Sequence, residues 1–150
     1  MKRIAFLILF LFSVCSAWCE EVVPSISGAA YLTKGNGDSF ILRDFHVLIC
    51  KPEVMQFWEK TIKAQADKPR LLMLQASVEF FKGLDQYIIK GTRTNIDAKY
   101  ALKDVPPDNY ILVGSLDTGT SVAFWMIPIT VTKDKPIEFD FTTSSATLIQ

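Results

Sequence analysis

The chain has 150 residues, is 49% hydrophobic and 21% charged, and sets 16 basic against 16 acidic side chains. That length fits one domain, and a formal charge of zero provides no basic footprint for a nucleic-acid backbone, so no nucleic-acid partner is expected. A single histidine, His46, removes schemes that need two imidazoles and limits nitrogen-ligated metal sites, and no cofactor or metal is expected.

Lys2 and Arg3 precede a run, Ile4 to Val14, that is apolar apart from Ser13. This is the length of a secretory h-region and too short to span a bilayer. Ala17 and Cys19 stand at the positions read by signal peptidase, so residues 1–19 are expected to be a signal peptide cut between Cys19 and Glu20, with a cut after Ala17 as the alternative. Acylation of Cys15 or Cys19 would want a small residue just ahead, and Val14 and Trp18 stand there instead. Residues 20–150 then form the mature domain, exported to the periplasm or beyond, not membrane-spanning, and mildly acidic. It keeps only Cys50, which rules out an internal disulfide and reads as a small buried hydrophobe rather than a reactive thiol.

The body reads as strands, then helices, then strands. Ile26 to Lys34 is β-prone and is followed by the turn Gly35-Asn36-Gly37-Asp38; Ser39 to Lys51 resumes the β pattern. Phe45, Val47 and Ile49 share one face there, and His46, Leu48 and Cys50 the other. On that second face His46 reads as a side chain held by a neighbouring group rather than as a base. The period then changes. Pro52 and Glu53 suit a helix start, and Val54, Met55, Trp58 and Ile62 recur at helical spacing over 52–65. After a break in which Asp67 is placed to cap, Leu71, Leu74, Val78, Phe81, Leu84 and Ile88 form a second stripe, expected to pack on the sheet and to stop at Gly91. Five further strands are expected at 92–96, 100–105, 110–116, 121–131 and 137–142. The sum is a mainly β chain: a seven-stranded antiparallel β-sandwich with a two-helix insertion, about residues 52–90, after the second strand.

The stretch TNIDAKYAL, Thr94 to Leu102, followed by KDVPPDNYILVGS, Lys103 to Ser115, resembles the carboxypeptidase regulatory-like domains, relatives of transthyretin-like (prealbumin-like) and starch-binding-like sandwiches. The resemblance implies a hairpin that turns Tyr100 and Leu102 inward and a double-proline turn after which Tyr110 anchors the next strand. Ala98 and Asp108 stand where the family pattern has glycine. If Ala98 keeps a positive φ, it costs on the order of 1 kcal/mol or more.

Function has to come from sites rather than from the fold. The related ring-cleaving dioxygenases and urate-pathway hydrolases need more histidines than this chain has, and no GxSxG, P-loop, GxGxxG or HExxH pattern occurs. The leading expectation is therefore a non-catalytic binding or protein-interaction module at the cell envelope. The alternative is a carbohydrate-binding module using exposed aromatics, with Trp125 as first candidate and Tyr110 and Trp58 beside it; a small hydrolase is a remote third reading. On the strand 121–131, Val122, Phe124 and Met126 share one face and Ala123, Trp125 and Ile127 the other, so only one set is expected to be core; a Trp125 lying under the helical insert would be structural, and that placement is the favoured one.

Overall fold

The computed structural model describes residues 25–65, 67–119 and 121–149; the expected signal peptide and its Cys19–Glu20 cut lie outside them. Ten strands and two α-helices are present among these residues, and the chain is mainly β. A five-stranded sheet has the order β10 (Thr147–Ile149), β8 (Val122–Thr130), β7 (Asn109–Asp117), β4 (His46–Cys50), β5 (Ile88–Arg93). A three-stranded sheet has the order β6 (Lys99–Leu102), β1 (Ile26–Ala29), β9 (Ile137–Glu138). A short hairpin, β2 (Tyr31–Thr33) with β3 (Ser39–Ile41), completes the set.

The two larger sheets face each other across one apolar interior. Ile26 from β1 and Tyr100 and Leu102 from β6 meet Val47 and Ile49 from β4, Leu112 from β7 and Trp125 from β8. Period-two alternation makes this possible, because each strand presents every second side chain to the partner layer. Phe45, Trp125 and Phe141 pack edge to face at its centre, with ring centroids 5.3–5.9 Å apart, the arrangement that aromatic quadrupoles favour. Gly114 permits this cluster, since a Cβ there would lie 2.5 Å from the Phe45 ring.

The outer face of the five-stranded sheet is covered by α1 (Val54–Thr61) and α2 (Arg70–Leu84). Cys50, Ile111, Val113, Phe124 and Ile149 rise from the sheet to meet Val54 and Trp58 of α1 and Met73, Ala76, Phe80 and Leu84 of α2. Burying Phe80 alone contributes about 2–3 kcal/mol.

Several expectations need correction. The β runs 26–34 and 39–51 each split in two, because the chain turns out of the sheets at Ala30 and again at residues 42–45, so the helices follow the fourth strand rather than the second. One pairing is parallel: β9 lies beside β1 in the same direction, with Ile137 donating to the Ser25 carbonyl where both strands begin. Gly91 does not end a helix. It sits inside β5, where the Leu48 side chain crosses it and would lie 2.8 Å from any Cβ. Asp67 is not the cap of α2, since Pro69 takes that position with an extended backbone. The exposed side of α2 also differs from expectation. Met73, Ala76, Ser77, Phe80 and Leu84 face the sheet, while Leu71 and Val78 are 68% and 52% exposed. The small Ala76 and Ser77 let the helix axis approach the sheet, which the bulkier stripe would have kept away.

Ala98 does adopt a left-handed backbone, with φ 58°. It is buried in the turn that Asn95 closes by accepting from the N–H groups of Asp97 and Lys99. Asp108 is not left-handed; Asp104 takes that conformation in the following turn.

Candidate functional site

Between β3 and β4 the chain turns a sharp corner, Leu42 to Phe45, that Thr94 organises. Thr94 is buried, and its hydroxyl donates to the Leu42 carbonyl while accepting from the Phe45 N–H at 2.9 Å. The Thr94 backbone also accepts from Asp44 N–H at 3.1 Å and donates to the Phe45 carbonyl at 3.0 Å. Within this clamp Asp44 is held at φ 53°, a conformation that costs a non-glycine residue about 1–2 kcal/mol. Backbone strain of this kind persists only where surrounding bonds over-determine it, and it concentrates at sites with a task.

The corner fixes two polar side chains, Arg43 and Asp44, and a third, His46, stands beside them. Arg43 donates from Nε to the Ile96 carbonyl at 2.9 Å, Arg93 donates from Nη1 to both carboxylate oxygens of Asp44 at 2.8 and 2.7 Å, and His46 stands exposed on the first residue of β4. The hydrogen bonds from Arg93 hold the Asp44 carboxyl below its ordinary range. Because the folded value is depressed, the pair's contribution is complete above the unfolded value of about 3.9 and is lost only as pH falls through the folded one. The pair is exposed on both sides, so its importance lies in placement rather than in stability.

Beside the corner lies a groove of about 460 Å3. Its apolar part is Leu48 and Val113 of the sheet and Phe81 of α2, and its polar part is Arg43, Asp44, His46 and Ser115. Phe81 stacks on Phe124 with centroids 6.2 Å apart and rings 18° from parallel, yet is 41% exposed. The groove thus combines an accessible aromatic ring with hydrogen-bonding groups already fixed in place, at a size usual for small-ligand sites. No group of three or more histidine, cysteine or acidic residues that could hold a metal occurs among the described residues.

The aromatic residues singled out from sequence lie elsewhere. Trp125 is fully buried between the sheets, where its indole N–H donates to the Thr142 carbonyl at 2.8 Å. Tyr110 is buried, with its hydroxyl donating to the Pro106 carbonyl at 3.0 Å, so it locks the double-proline turn to β7. Trp58 is buried under α2, and its indole N–H finds no partner among the described residues. None of the three offers a ring face to a ligand, and the structure does not bring them together. Of the groove's residues, the sequence points to His46 only as a side chain held by a neighbouring group and to Phe81 only as a helix residue packing on the sheet, and it marks Arg43, Asp44 and Ser115 only as strand positions. The available signal was the Arg-Asp-Phe-His run, whose charges interrupt an otherwise β-prone stretch.

Cys50 lies on the helix-covered face of β4, and burial pushes its thiol up to about 12. At pH 8 the native protein should therefore fail to react with an aromatic disulfide reagent, and should react rapidly once unfolded, because the thiolate is the reactive form. Rapid labelling without denaturant would contradict this placement.

No family model matches the chain, and neither does any curated protein. Among solved structures, the chain is similar to the 2.61 Å crystal structure of a proposed carbohydrate-binding protein from Pseudomonas aeruginosa. The TM-score is 0.53 at 15% identity, covering 80% of this chain and 88% of that one. At that identity the likeness establishes a shared sandwich-like β fold.

Proposed function

We propose that this chain is a non-catalytic binding module, exported to the cell envelope, that holds a carbohydrate in the groove between α2 and strands β4 and β7. The observation that carries this reading is the partly exposed ring of Phe81 lining the same groove as the bonded Arg43 and Asp44 side chains and the exposed His46. A sugar ring matches that pairing, because its C–H face packs on an aromatic surface while its hydroxyls take directional, charge-assisted hydrogen bonds. The description of the Pseudomonas aeruginosa neighbour points to the same ligand class. The absence of catalysis is supported by the groove's one lining carboxylate, Asp44, being committed to Arg93, which leaves no second acid or base to pair with His46. The resemblance to carboxypeptidase regulatory-like domains, which accompany a catalytic domain without performing its reaction, agrees, and residues 1–19 support export.

The test is a glycan array with the mature chain, residues 20–150, followed by calorimetry on any binder. Phe81→Ala should weaken a bound glycan about tenfold, equivalent to ~1.4 kcal/mol, measured well below the melting temperature because the ring also packs on Phe80 and Phe124 and its loss costs some stability. Binding by wild type that Phe81→Ala leaves intact would move the site away from the groove. A second reading, a protein-interaction module, is favoured by Leu71, Leu74 and Val78, which continue the Phe81 stripe outward along α2 and are exposed. An array without any binder, together with a partner lost on Leu71→Glu, would select that reading instead.

A further inference from the structure

We propose that the carbohydrate held in the groove is acidic, and that Arg43 reads its carboxylate; this inference rests on the glycan-binding reading above.

The argument begins with charge. Arg43 lines the groove and Arg93 reaches its corner, while Asp44 is the single carboxylate lining it. Asp44 is satisfied by Arg93, whose Nη1 contacts both of its oxygens. One positive charge is left over, and it belongs to Arg43.

Geometry then says what that charge suits. A guanidinium has five N–H donors in a rigid plane. The Nε donor of Arg43 is bound to the Ile96 carbonyl at 2.9 Å, inside the turn that Asn95 closes. This tether orients the plane, and among the described residues no carboxylate pairs with the terminal nitrogens. Their two parallel N–H groups match the two oxygens of a carboxylate, the bidentate arrangement that gives the stronger class of hydrogen bond. A neutral sugar would offer hydroxyls to the same fork and leave the charge uncompensated. A uronic acid supplies both the carboxylate for Arg43 and a ring face for Phe81.

Calorimetric titration of the mature chain decides this, using short uronate oligomers of the glucose, galactose and mannose series, each beside its neutral counterpart. At least one uronate should bind at least tenfold more tightly than its counterpart. Arg43→Gln should erase that preference while leaving the melting temperature unchanged, Arg43→Lys should restore part of it, and raising the salt concentration should weaken the uronate selectively. Phe81→Ala should weaken both series alike. Neutral oligomers bound as tightly as uronates, with Arg43→Gln without effect, would overturn the acidic assignment and leave carbohydrate binding standing. Failure of every sugar in both series to bind would overturn the two together.

Discussion

Trp125→Ala is expected to lower the free energy of unfolding by about 4 kcal/mol, within the 3–5 kcal/mol usual for removing a large aromatic from a packed core. The indole fills the centre of the inter-sheet interior, in edge-to-face contact with Phe45 at 5.4 Å and Phe141 at 5.9 Å, and no collapse of either sheet can fill its volume. Its N–H also satisfies the Thr142 carbonyl, at the start of the 3-10 turn Thr143–Ser145 that leads into β10. Losing that bond should loosen the turn and the short edge strand behind it. Domains of this size have about 5–15 kcal/mol in total, so the variant would be marginal. Trp125→Phe, which keeps most of the packing and loses the hydrogen bond, should cost about half as much. Urea denaturation monitored by circular dichroism measures both. A cost below about 1 kcal/mol for the alanine variant, accompanied by loss of sugar binding, would show that the indole faces a ligand after all.

The same residue marks how far the sequence alone can lead. Alternation on the 121–131 strand separated Ala123, Trp125 and Ile127 from Val122, Phe124 and Met126, and the structure keeps those two sets on opposite faces of β8. The expectation that only one set is core fails, because the helices cover the second face and make it a core as well, and Trp125 lies between the sheets while Phe124 is the residue beneath the helices. Tyr100 and Leu102 point inward as the hairpin pattern implies. The parallel pairing of β9 with β1 was not legible, since periodicity describes a strand's faces and is silent on its neighbours.

The helix α2 shows the limit in another form. Its sequence carries apolar residues around most of its circumference, so two stripes compete for the sheet. The stripe expected from helical spacing, Leu71, Leu74, Val78, Phe81 and Leu84, keeps only Leu84 against the sheet and otherwise yields to the one containing Ala76 and Ser77, which permits closer approach. Gly83 works the same way at the helix-helix contact, where a Cβ would lie 2.5 Å from the Phe57 ring. That outcome leaves Phe81 partly open to the groove. The polar half of the site was hidden for a different reason. Residues 42–45 continue the β pattern in sequence, and the corner exists only because Thr94, 49 positions from Phe45, supplies a hydroxyl across the fold. Nothing local in sequence announces a clamp that is closed by a distant strand.

Thr94→Val tests that clamp, and it is expected both to destabilise the protein and to disable the groove. Valine keeps the β-branched shape but replaces the hydroxyl with a methyl group, so the Phe45 N–H and the Leu42 carbonyl each lose their partner at a covered position. An unsatisfied buried group costs about 1–3 kcal/mol, so the pair together should cost about 2–6 kcal/mol. The corner can recover part of this only by relaxing, and relaxation would release Asp44 from its left-handed backbone and carry Arg43 and His46 away from their present positions. Sugar affinity should then fall about tenfold or more even in the fully folded fraction, measured by calorimetry well below the melting temperature. Thr94→Ser, which retains the hydroxyl, should keep affinity within about twofold while losing only the methyl contact, worth about 1 kcal/mol. A valine variant that binds as wild type would show that the left-handed corner is structural punctuation and that recognition resides in Phe81 and the sheet alone.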